Sequence, residues 1–510
     1  WGEVFEQRVG MSVSYPGGDR VSLTMRTPPK PVSGKVNGAI ISGRGVTQYF
    51  DKGPKVDSYK GHYSPPASQN YDRQNGHVYV EKIPFLNSPD IYGDLRVENL
   101  PKYIQGDVDV YGDTYLGSYK NKKATKARIQ TSGGDMPKFH GDFYVKDWLV
   151  LTDVQIDGDY ITSSRLTSKG WGTTTIEGSV YAWGRQGSND AKLDEITIKG
   201  DLYLIGDIQV GKDVYVHGKV RATGKIKKPK EIKNENGNQH QDVKQYVSKS
   251  SIVGEMKKPK GPNVPELSSV SSEINDKETA YQGSNNNDND KPSADIDTSS
   301  NELTCETGDS SCTLTAGNYY LDSMIVKGGD KLTLDTTGGD INVFVKNKVE
   351  FVGSSTQVEI VGDGRVSIYV DSKDSSDTDF KVTGGAEVVN PDDNSKQLWV
   401  YLHPDASGEI KHDTAGDPSV FKGVVYGPGK GTSPGNPGAQ LTVEGVADVF
   451  GAVVGDVEKV THAGGSGPVY NPDIHFDESL TTTRVFKKSL SSGNPRILYL
   501  LTSSETVSVS

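Results

Sequence analysis

The sequence predicts an all-β chain made of two parallel β-helix (β-solenoid) blocks, with a small antiparallel sheet formed by the N- and C-terminal strands. The first observation is the stretch 199–226, where short apolar–polar alternations, typical of half-buried strands, are separated by corner glycines. These glycines are Gly200, Gly206, Gly211, Gly218 and Gly224. Glycine tolerates the positive φ of a tight bend, so a positive-φ corner is predicted after each strand. The second observation is that such units recur with almost no helical periodicity, which favours a wound chain over stacked hairpins.

Composition is the third observation. Of 510 residues, 33% are hydrophobic and 59 are glycine, whereas globular domains have ~45–50% apolar residues. A thin core that extends along one axis needs fewer apolar residues. The net charge of −11 weighs against a nucleic-acid partner, because phosphates are bound by basic surfaces. No run of ~18 apolar residues occurs, so no transmembrane segment is expected. With no signal peptide and a start at Trp1, we expect that a processed N-terminal segment is missing.

The N-terminal residues 1–31 have the pattern of a β-hairpin. Two alternating runs, SVSY and RVSLTMR, flank the turn sequence PGGD, and the prolines that follow end the unit. Residues 32–226 form the predicted first solenoid, in which the pair Gly-Asp opens strand after strand. Three less regular segments, 44–90, 117–137 and 184–194, are predicted to be loops that project from the coils.

Residues 227–300 are rich in Lys, Asn, Ser, Asp and Pro and poor in aromatic residues. Such a segment cannot bury enough apolar surface to order itself, so it is predicted to be a polar linker or excursion. Docking of part of it on a neighbouring solenoid face is the alternative. Residues 301–480 form the predicted second solenoid, with two similar cassettes, GVVYG and GAVVG, whose lack of alternation predicts strands buried on both faces. Residues 481–510 lack glycine corners and are predicted to pair with the N-terminal hairpin, because chain termini tend to lie close together.

The two cysteines, Cys305 and Cys312, flank a short polar turn. This spacing suits a disulfide, which would imply an oxidising, extracytoplasmic compartment; two free thiols are the alternative. No cofactor or metal site is expected. The nine histidines are scattered, and the closest pair, His403 and His412, is interpreted as solvated.

Carboxylates are frequent at the corners of the first solenoid, where most follow glycine. Aspartate at such positions accepts turn hydrogen bonds, so these residues are interpreted as structural and the chain is not expected to be an enzyme. The alternative is a polysaccharide lyase or hydrolase, which needs converging carboxylates on one face. The residues concerned are Asp107, Asp109, Asp113, Asp142, Asp157, Asp159, Asp201 and Asp207.

Aromatic residues are the candidates for binding. A set of them could form a platform for glycans or a partner subunit, although aromatic rows also simply cap solenoid faces. The candidates are Tyr111, Tyr115, Tyr119, Trp148, Trp171 and Trp183.

The second block resembles the β-solenoid module of archaeal and bacterial envelope-associated surface proteins. GNYYLDS at 317–323 and GGDINVFV at 338–345 are similar to the start of that module, and FKGVVYGP at 421–428, VFGAVVG at 449–455 and HFDESL at 475–480 to its closing motifs. The first block is similar to the bactofilin-like repeats of this pilin-associated family, and VDSY at 56–59 resembles a motif at their start. The resemblance implies an envelope-linked role with type IV pilus-like machinery and no established activity. The chain departs from the pattern because it lacks the hydrophobic pilin-type helix and has a long, initially basic insert at 227–300.

The sequence therefore predicts an extracellular or cell-surface structural protein, a subunit of a filament, pilus-like or surface-layer assembly. Its partners would be copies of itself or other surface or pilus subunits. Solenoid ends expose strand edges, and the C-terminal strands are candidates for strand addition. One alternative is an adhesin or glycan-binding surface protein that uses the loops 44–90 and 117–137. Another is a polysaccharide-active β-helix enzyme.

Overall fold

The computed structural model forms two compact units, one of residues 36–481 and one of residues 1–35 with 482–510. The residues that the structure describes are 8–14, 20–26, 39–42, 49–51, 54–59, 75–83, 85–117, 127–130, 136–146, 148–169, 173–184, 191–260, 269–287, 296–297, 299–305, 312–371, 378–390, 394–412, 417–429, 438–462 and 471–482. In the smaller unit, Arg8–Ser14 and Arg20–Arg26 pair as an antiparallel hairpin, as the sequence predicts. The C-terminal strands predicted to join this hairpin lie outside the described residues.

In the larger unit, 44 described strands are linked in one sheet that winds into a three-faced solenoid. Each strand of the first block pairs in parallel with the strand three positions further along the chain, so one coil has three strands, on faces that we name A, B and C. Four long strands turn corners and belong to more than one face: Gly317–Lys327, Ile341–Val352, Ser419–Tyr426 and Ala447–Thr461. The predicted all-β parallel solenoid fold is confirmed.

The other strands of the solenoid are as follows, in spatial order. Face A contains Glu302–Cys305, Phe380–Thr383, Ser407–His412, Gln440–Gly445, Tyr49–Asp51, Phe85–Asn87, Tyr103–Gln105, Ala127–Gln130, Leu149–Leu151, Leu166–Ser168, Ala191–Leu193, Ile208–Val210 and Ile226–Lys227. Face B contains Cys312–Thr315, Lys331–Asp335, Gln357–Val361, Glu387–Val389, Asp473–Asp477, Lys55–Tyr59, Asp90–Ile91, Asp109–Val110, Lys138–Phe139, Gln155–Ile156, Thr174–Ile176, Ile196–Ile198, Val214–Val216 and Ile232–Lys233. Face C contains Val366–Val370, Leu398–Leu402, Ile40–Ser42, Val78–Lys82, Leu95–Asn99, Thr114–Leu116, Phe143–Val145, Tyr160–Thr162, Val180–Ala182, Leu202–Leu204, Val220–Ala222 and Val243–Lys244.

The two predicted blocks are stacked into one solenoid rather than connected only through residues 227–300. The last coil of the second block pairs in parallel with the first coil of the first block on all three faces. The opposed residues include Ile40 and Val453, Tyr49 and Lys459, and Lys55 and Asp473. The spatial order of the blocks is therefore the reverse of their order in the sequence. We call this contact between the blocks the seam.

Parts of the segments predicted to be loops are strands. Tyr49–Asp51, Lys55–Tyr59, Val78–Lys82 and Phe85–Asn87 lie within 44–90, Ala127–Gln130 lies within 117–137, and Ala191–Leu193 lies within 184–194. The loop prediction was wrong there because strands this short show no alternation that stands out from their neighbours.

The segment 227–300 is ordered over much of its described length, contrary to the predicted linker. Ile232–Lys233 and Val243–Lys244 extend the first solenoid beyond residue 226, and a short 3-10 helix, Pro229–Glu231, precedes them. Two α-helices follow, Lys249–Val253 and Ser271–Gly283. Ile296–Asp297 then pairs antiparallel with the first strand of the second block, whose last strand is followed by the 3-10 helix Glu478–Thr482. The segment orders because the solenoid supplies apolar surface that its own sequence lacks.

Most of the Gly-Asp pairs of the first block lie at the corners between faces B and C, and their side chains join each coil to the next. Asp113 Oδ1 accepts the N–H of Asp142 at 2.9 Å, and Asp142 Oδ1 accepts the N–H of Asp159 at 2.9 Å. Asp142 also accepts the Tyr144 hydroxyl through Oδ2 at 3.0 Å. The same bond to the next coil is made by Asp94, Asp159, Ser179 and Asp201. Asp113, Asp142, Asp159 and Asp201 therefore make the turn hydrogen bonds that the sequence predicts for them.

The glycines at these corners are required for a different reason from the one predicted. A Cβ on Gly158 would lie 2.4 Å from the carbonyl oxygen of Gly141, because the backbones of successive coils meet there. Close approach, rather than positive φ, therefore selects glycine at Gly158. Gly206, with φ of 132°, does adopt the conformation that the sequence analysis expected at every corner.

Candidate functional site

A single row of side chains follows face C through both blocks, and each member lies opposite the next in strand register. In spatial order the row is Tyr320, Phe344, Tyr369, Tyr401, Tyr426, Val454, Ile41, Tyr79, Arg96, Tyr115, Tyr144, Ile161, Tyr181, Tyr203, Arg221 and Lys244. The rings of Tyr115 and Tyr144 stack at 4.8 Å, and the Arg96 guanidinium lies over the rings of Tyr79 and Tyr115. We call this set the face-C row.

The segment after the last coil returns along face C, and we call its described residues, 245–260 and 269–287, the strap. Its first part is held on the first block by apolar packing, in which Ile252 and Met256 are buried against Tyr203, and by polar contacts. The Trp183 indole N–H donates to the Lys257 carbonyl at 2.8 Å. The Lys257 ammonium pairs with Asp142 at 3.1 Å and with Asp159 at 2.5 Å. Hydrogen bonds to Asp159 and Asp142 raise the pKa of Lys257, which therefore remains charged.

The second part of the strap is held on the second block by apolar packing and by hydrogen bonds. In the helix Ser271–Gly283, Ile274 and Tyr281 are buried. The ring of Tyr281 packs edge-on against Tyr369 of the face-C row, with centroids 6.5 Å apart. Beyond the helix, the Asn287 side chain donates to the Tyr320 carbonyl at 2.6 Å. The strap thus covers members of the face-C row in both blocks.

The described members of the predicted aromatic platform have four different surroundings. Tyr115 belongs to the face-C row and is 7% exposed. Trp183 is bonded to the strap. The Trp148 indole N–H donates to a threonine hydroxyl of the next coil at 3.0 Å, and Tyr111 is stacked between two rings beside face B. Tyr119 and Trp171 lie outside the described residues. The four described residues do not share one surface, and two of them are engaged in packing along face C.

Cys305 and Cys312 are joined by a disulfide, as the sequence predicts. Cys305 ends the first strand of face A and Cys312 begins the first strand of face B. The bond therefore closes the first corner of the second block.

Acidic side chains follow face B across the seam. In strand register, Asp448 lies opposite Asp473, and Lys55 lies between Asp473 and Asp90. Burial raises the pKa of Asp473 to about 6. Burial likewise raises the pKa of Asp90 to about 6, with the nearby charge of Asp109 adding to the effect. The uncharged forms of these two carboxyl groups are thus favoured only below about pH 6.

A histidine completes a potential ligand set beside this acidic row. Donor atoms of Asp448, Asp473 and His475 all lie within 4.8 Å of one another, the one such group of three found in the described part of the chain. His475 Nδ1 lies 2.5 Å from Asp57 Oδ1, and both side chains are almost completely buried. Sequence reasoning missed this set because its members come from different coils. The available signal was Asp473 and His475, two residues apart on one strand and therefore on one side of it.

The histidine pair noted in the sequence does not form such a set. His403 Nδ1 lies 3.5 Å from Asp405, and His412 Nδ1 lies 2.7 Å from the Asp417 carbonyl. Each ring is therefore held by its own neighbouring residues.

Face A of the second block bears an open groove of about 740 Å³. Its lining is Lys327, Glu350, Val352, Ser354, Thr378, Lys381, Thr383, Gly384, Glu409, Lys411 and His412. The Glu350 carboxylate lies 2.7 Å from Lys327, 3.6 Å from Lys348 and 3.4 Å from Lys381. Burial alone would raise the pKa of Glu350, but these ammonium groups outweigh it and lower the pKa. The groove is polar and rich in hydrogen-bond donors.

Residues 255–483 match a protein family described as "Domain of unknown function (DUF7305)". The match begins within the strap and ends just after the last strand of the second block, so it includes the helix Ser271–Gly283 together with the coils on which it packs. No curated protein and no solved structure matches the chain. Neither described helix has the length and apolar character needed to cross a membrane.

Proposed function

We propose that the protein is an extracellular or cell-surface structural protein, a subunit of a filament, pilus-like or surface-layer assembly. The observation that carries this proposal is the single sheet that runs through both blocks and across the seam. The corner carboxylates, the face-C row and the strap all serve coil stacking, which is the expected use of side chains in a scaffold. The disulfide of Cys305 and Cys312 supports an oxidising compartment outside the cytoplasm.

The ends of the described solenoid bear on how such a scaffold would assemble. At one end, Ile296–Asp297 covers part of the first strand, Glu302–Cys305. At the other end, the final strands each finish in lysine: Ile226–Lys227, Ile232–Lys233 and Val243–Lys244. Covered edges and edge lysines both discourage strand pairing between molecules. The proposed route is therefore strand addition by the terminal residues 484–510 rather than stacking of solenoid ends.

Electron microscopy of the full chain over a range of concentrations, and of a chain truncated after residue 483, tests this proposal. We expect ordered assemblies of the full chain and single rods of the truncated one, with unchanged circular dichroism. A variant that combines Lys233→Ser with Lys244→Ser is the matched control, and it should assemble as the full chain does. Single molecules of the full chain at every concentration, or normal assembly of the truncated chain, would contradict the proposal.

A second candidate, an adhesin that binds glycans, is favoured by the groove on face A. Its ammonium, hydroxyl and imidazole groups suit the hydroxyls and carboxylates of an acidic glycan. A glycan array should show binding that weakens at least tenfold in Lys381→Met and Lys411→Met. Trp183→Phe, which alters the strap contact instead, should bind as the unaltered chain does. Loss of binding in Trp183→Phe alone would move the site away from the groove.

A further inference from the structure

The cluster of Asp448, Asp473 and His475 lies where the two blocks meet. On face B, the strand Asp473–Asp477 of the second block lies between Ala447–Thr461 and Lys55–Tyr59, and Lys55–Tyr59 belongs to the first block. Asp57, the hydrogen-bond partner of His475, is therefore contributed from across the seam. Asp57 and His475 are 418 positions apart in the sequence.

The His475 ring is held in a fixed orientation. Its Nδ1 is bonded to Asp57 Oδ1 at 2.5 Å, and the ring stacks on Phe450 with centroids 4.7 Å apart. Lys55 Nζ lies 3.3 Å from the other oxygen of Asp57. A carboxylate at Nδ1 makes this nitrogen the protonated one, so Nε2 is the atom that would coordinate a cation. A carboxylate–imidazole–metal arrangement of this kind is the usual outer shell of a metal-bound histidine.

The donor types indicate the class of ligand. One imidazole nitrogen and two carboxylate oxygens are ligands that Zn²⁺ and Mn²⁺ accept, whereas Ca²⁺ and Mg²⁺ prefer oxygen donors alone. The donor atoms lie within 4.8 Å of one another, so movements of about 1 Å would bring them to a common ion at ligand distances of ~2.0–2.2 Å. The His475 side chain is 4% exposed, which limits competition from water at that nitrogen.

We propose that Asp448, Asp473 and His475 bind one divalent cation of the Zn²⁺ or Mn²⁺ class, with Asp57 orienting His475, and that this cation fastens the seam between the blocks. The site adds a metal-dependent stabilisation to the proposed scaffold and does not depend on how, or whether, the scaffold assembles. Because the ligands belong to the second block and the orienting group to the first, the bound ion stabilises the stacked arrangement of both.

Calorimetric titration of the full chain, depleted of metal with a chelator, with Zn²⁺ and separately with Mn²⁺ tests the site. We expect saturable binding of one ion and a higher melting temperature in its presence. Asp448→Asn and Asp473→Asn should each weaken binding at least 100-fold, and Asp57→Asn ~10- to 100-fold, as for other outer-shell partners. Asp405→Asn, which alters an exposed aspartate beside His403, is the matched control and should bind normally.

Circular dichroism shows whether a variant that does not bind metal is still folded. If Asp473→Asn fails to fold, Asp448→Asn, at a half-buried position, is the variant that tests the site. The proposal is overturned if neither metal binds saturably, or if binding is unchanged in Asp448→Asn. It is also overturned if the ion binds without raising the melting temperature, because the seam would then gain nothing from it.

Discussion

In the first block most strands are two or three residues long, whereas in the second block Ile341–Val352 and Ala447–Thr461 continue around corners without interruption. The first block fixes its corners one by one, with an aspartate or serine side chain bonded to the next coil. The second block makes similar side-chain bonds, such as that from the Arg365 N–H to Asp340 Oδ1, and adds long continuous ladders at some corners. The first block therefore depends on side chains at its corners, while the second shares the same task between side chains and backbone hydrogen bonds.

The side chains that fill the interior of the solenoid also differ between the two blocks. In the second block, Phe351, Phe380 and Phe421 pack edge to face in successive coils, with centroids 6.4 and 5.8 Å apart. The first block is filled along much of its length by buried Val, Ile and Leu side chains, such as Leu202, Leu204 and Val220. Small side chains suit short strands with tight corners, and large rings fill the wider space that longer strands enclose.

The largest expected effect is that of a methyl group at a corner of the first block. In Gly158→Ala the new Cβ would lie 2.4 Å from a carbonyl oxygen of the preceding coil, so the backbone must shift. We expect the free energy of unfolding to fall by about 3 kcal/mol, the upper part of the range for overpacking. Chemical denaturation measures this loss of stability, and hydrogen exchange identifies the coils that are loosened.

Two other glycines serve as controls for this prediction. In Gly338→Ala of the second block the new Cβ would lie 3.3 Å from the Ala316 methyl group, and in Gly254→Ala it would meet nothing within 4 Å. Each of these two substitutions should lower the free energy of unfolding by less than about 1 kcal/mol. An equal loss in Gly158→Ala and Gly338→Ala would show that the close backbone approach at Gly158 is not the cause of the loss.

Removal of the disulfide should give the next largest loss of stability, and this loss should be confined to the start of the second block. Replacing both Cys305 and Cys312 by serine should lower the free energy of unfolding by about 2 kcal/mol, since a loop this short contributes less than a 15-residue loop. Hydrogen exchange should increase near residues 312–327 and stay unchanged near 202–216. Faster exchange in both regions would mean that the blocks open together rather than separately.

Local patterns account for what could be predicted from the sequence. The Gly-Asp corners, the N-terminal hairpin and the disulfide each depend on residues close together in the chain, so spacing and turn chemistry were enough to predict them. The order of the blocks depends on pairing such as Ile40 with Val453, which no local pattern encodes. The two helices of the strap were not predicted for a related reason, because they are ordered by contact with the face-C row. The ligand set at the seam likewise required the pairing of distant coils.

Buried acids in the two blocks should respond to pH in opposite directions. The pKa of Asp90 is raised to about 6, so its charged form disfavours the folded state, and stability is lost as the pH rises from about 4 to 6. Asp90→Asn should therefore raise the free energy of unfolding by about 1–2 kcal/mol near pH 7.5, after allowing for solvent screening, and change it little near pH 4.

Glu350, the buried acid in the second block, should show the opposite dependence of stability on pH. The pKa of Glu350 is lowered because lysines surround it, so its stabilisation is present above the unfolded pKa and is lost as the pH falls through the folded one. Glu350→Gln should thus destabilise the chain near pH 7.5. Melting curves recorded with a chelator, to exclude bound metal, measure both variants. If Asp90→Asn destabilises the chain at neutral pH, the assigned effect of burial is wrong.

The smallest effect concerns the ion pairs that hold the first part of the strap. Lys257→Met removes the ion pairs with Asp142 and Asp159, but the lysine is 48% exposed, so the loss should stay below about 1 kcal/mol and shrink further at high salt. Hydrogen exchange should increase in residues 249–257 and not in the helix Ser271–Gly283, which is anchored by Ile274 and Tyr281. Lys212→Met, at an exposed ion pair with Glu195 away from the strap, is the control. If both parts of the strap loosen together in Lys257→Met, the strap is anchored cooperatively, and its contacts with the two blocks do not act independently.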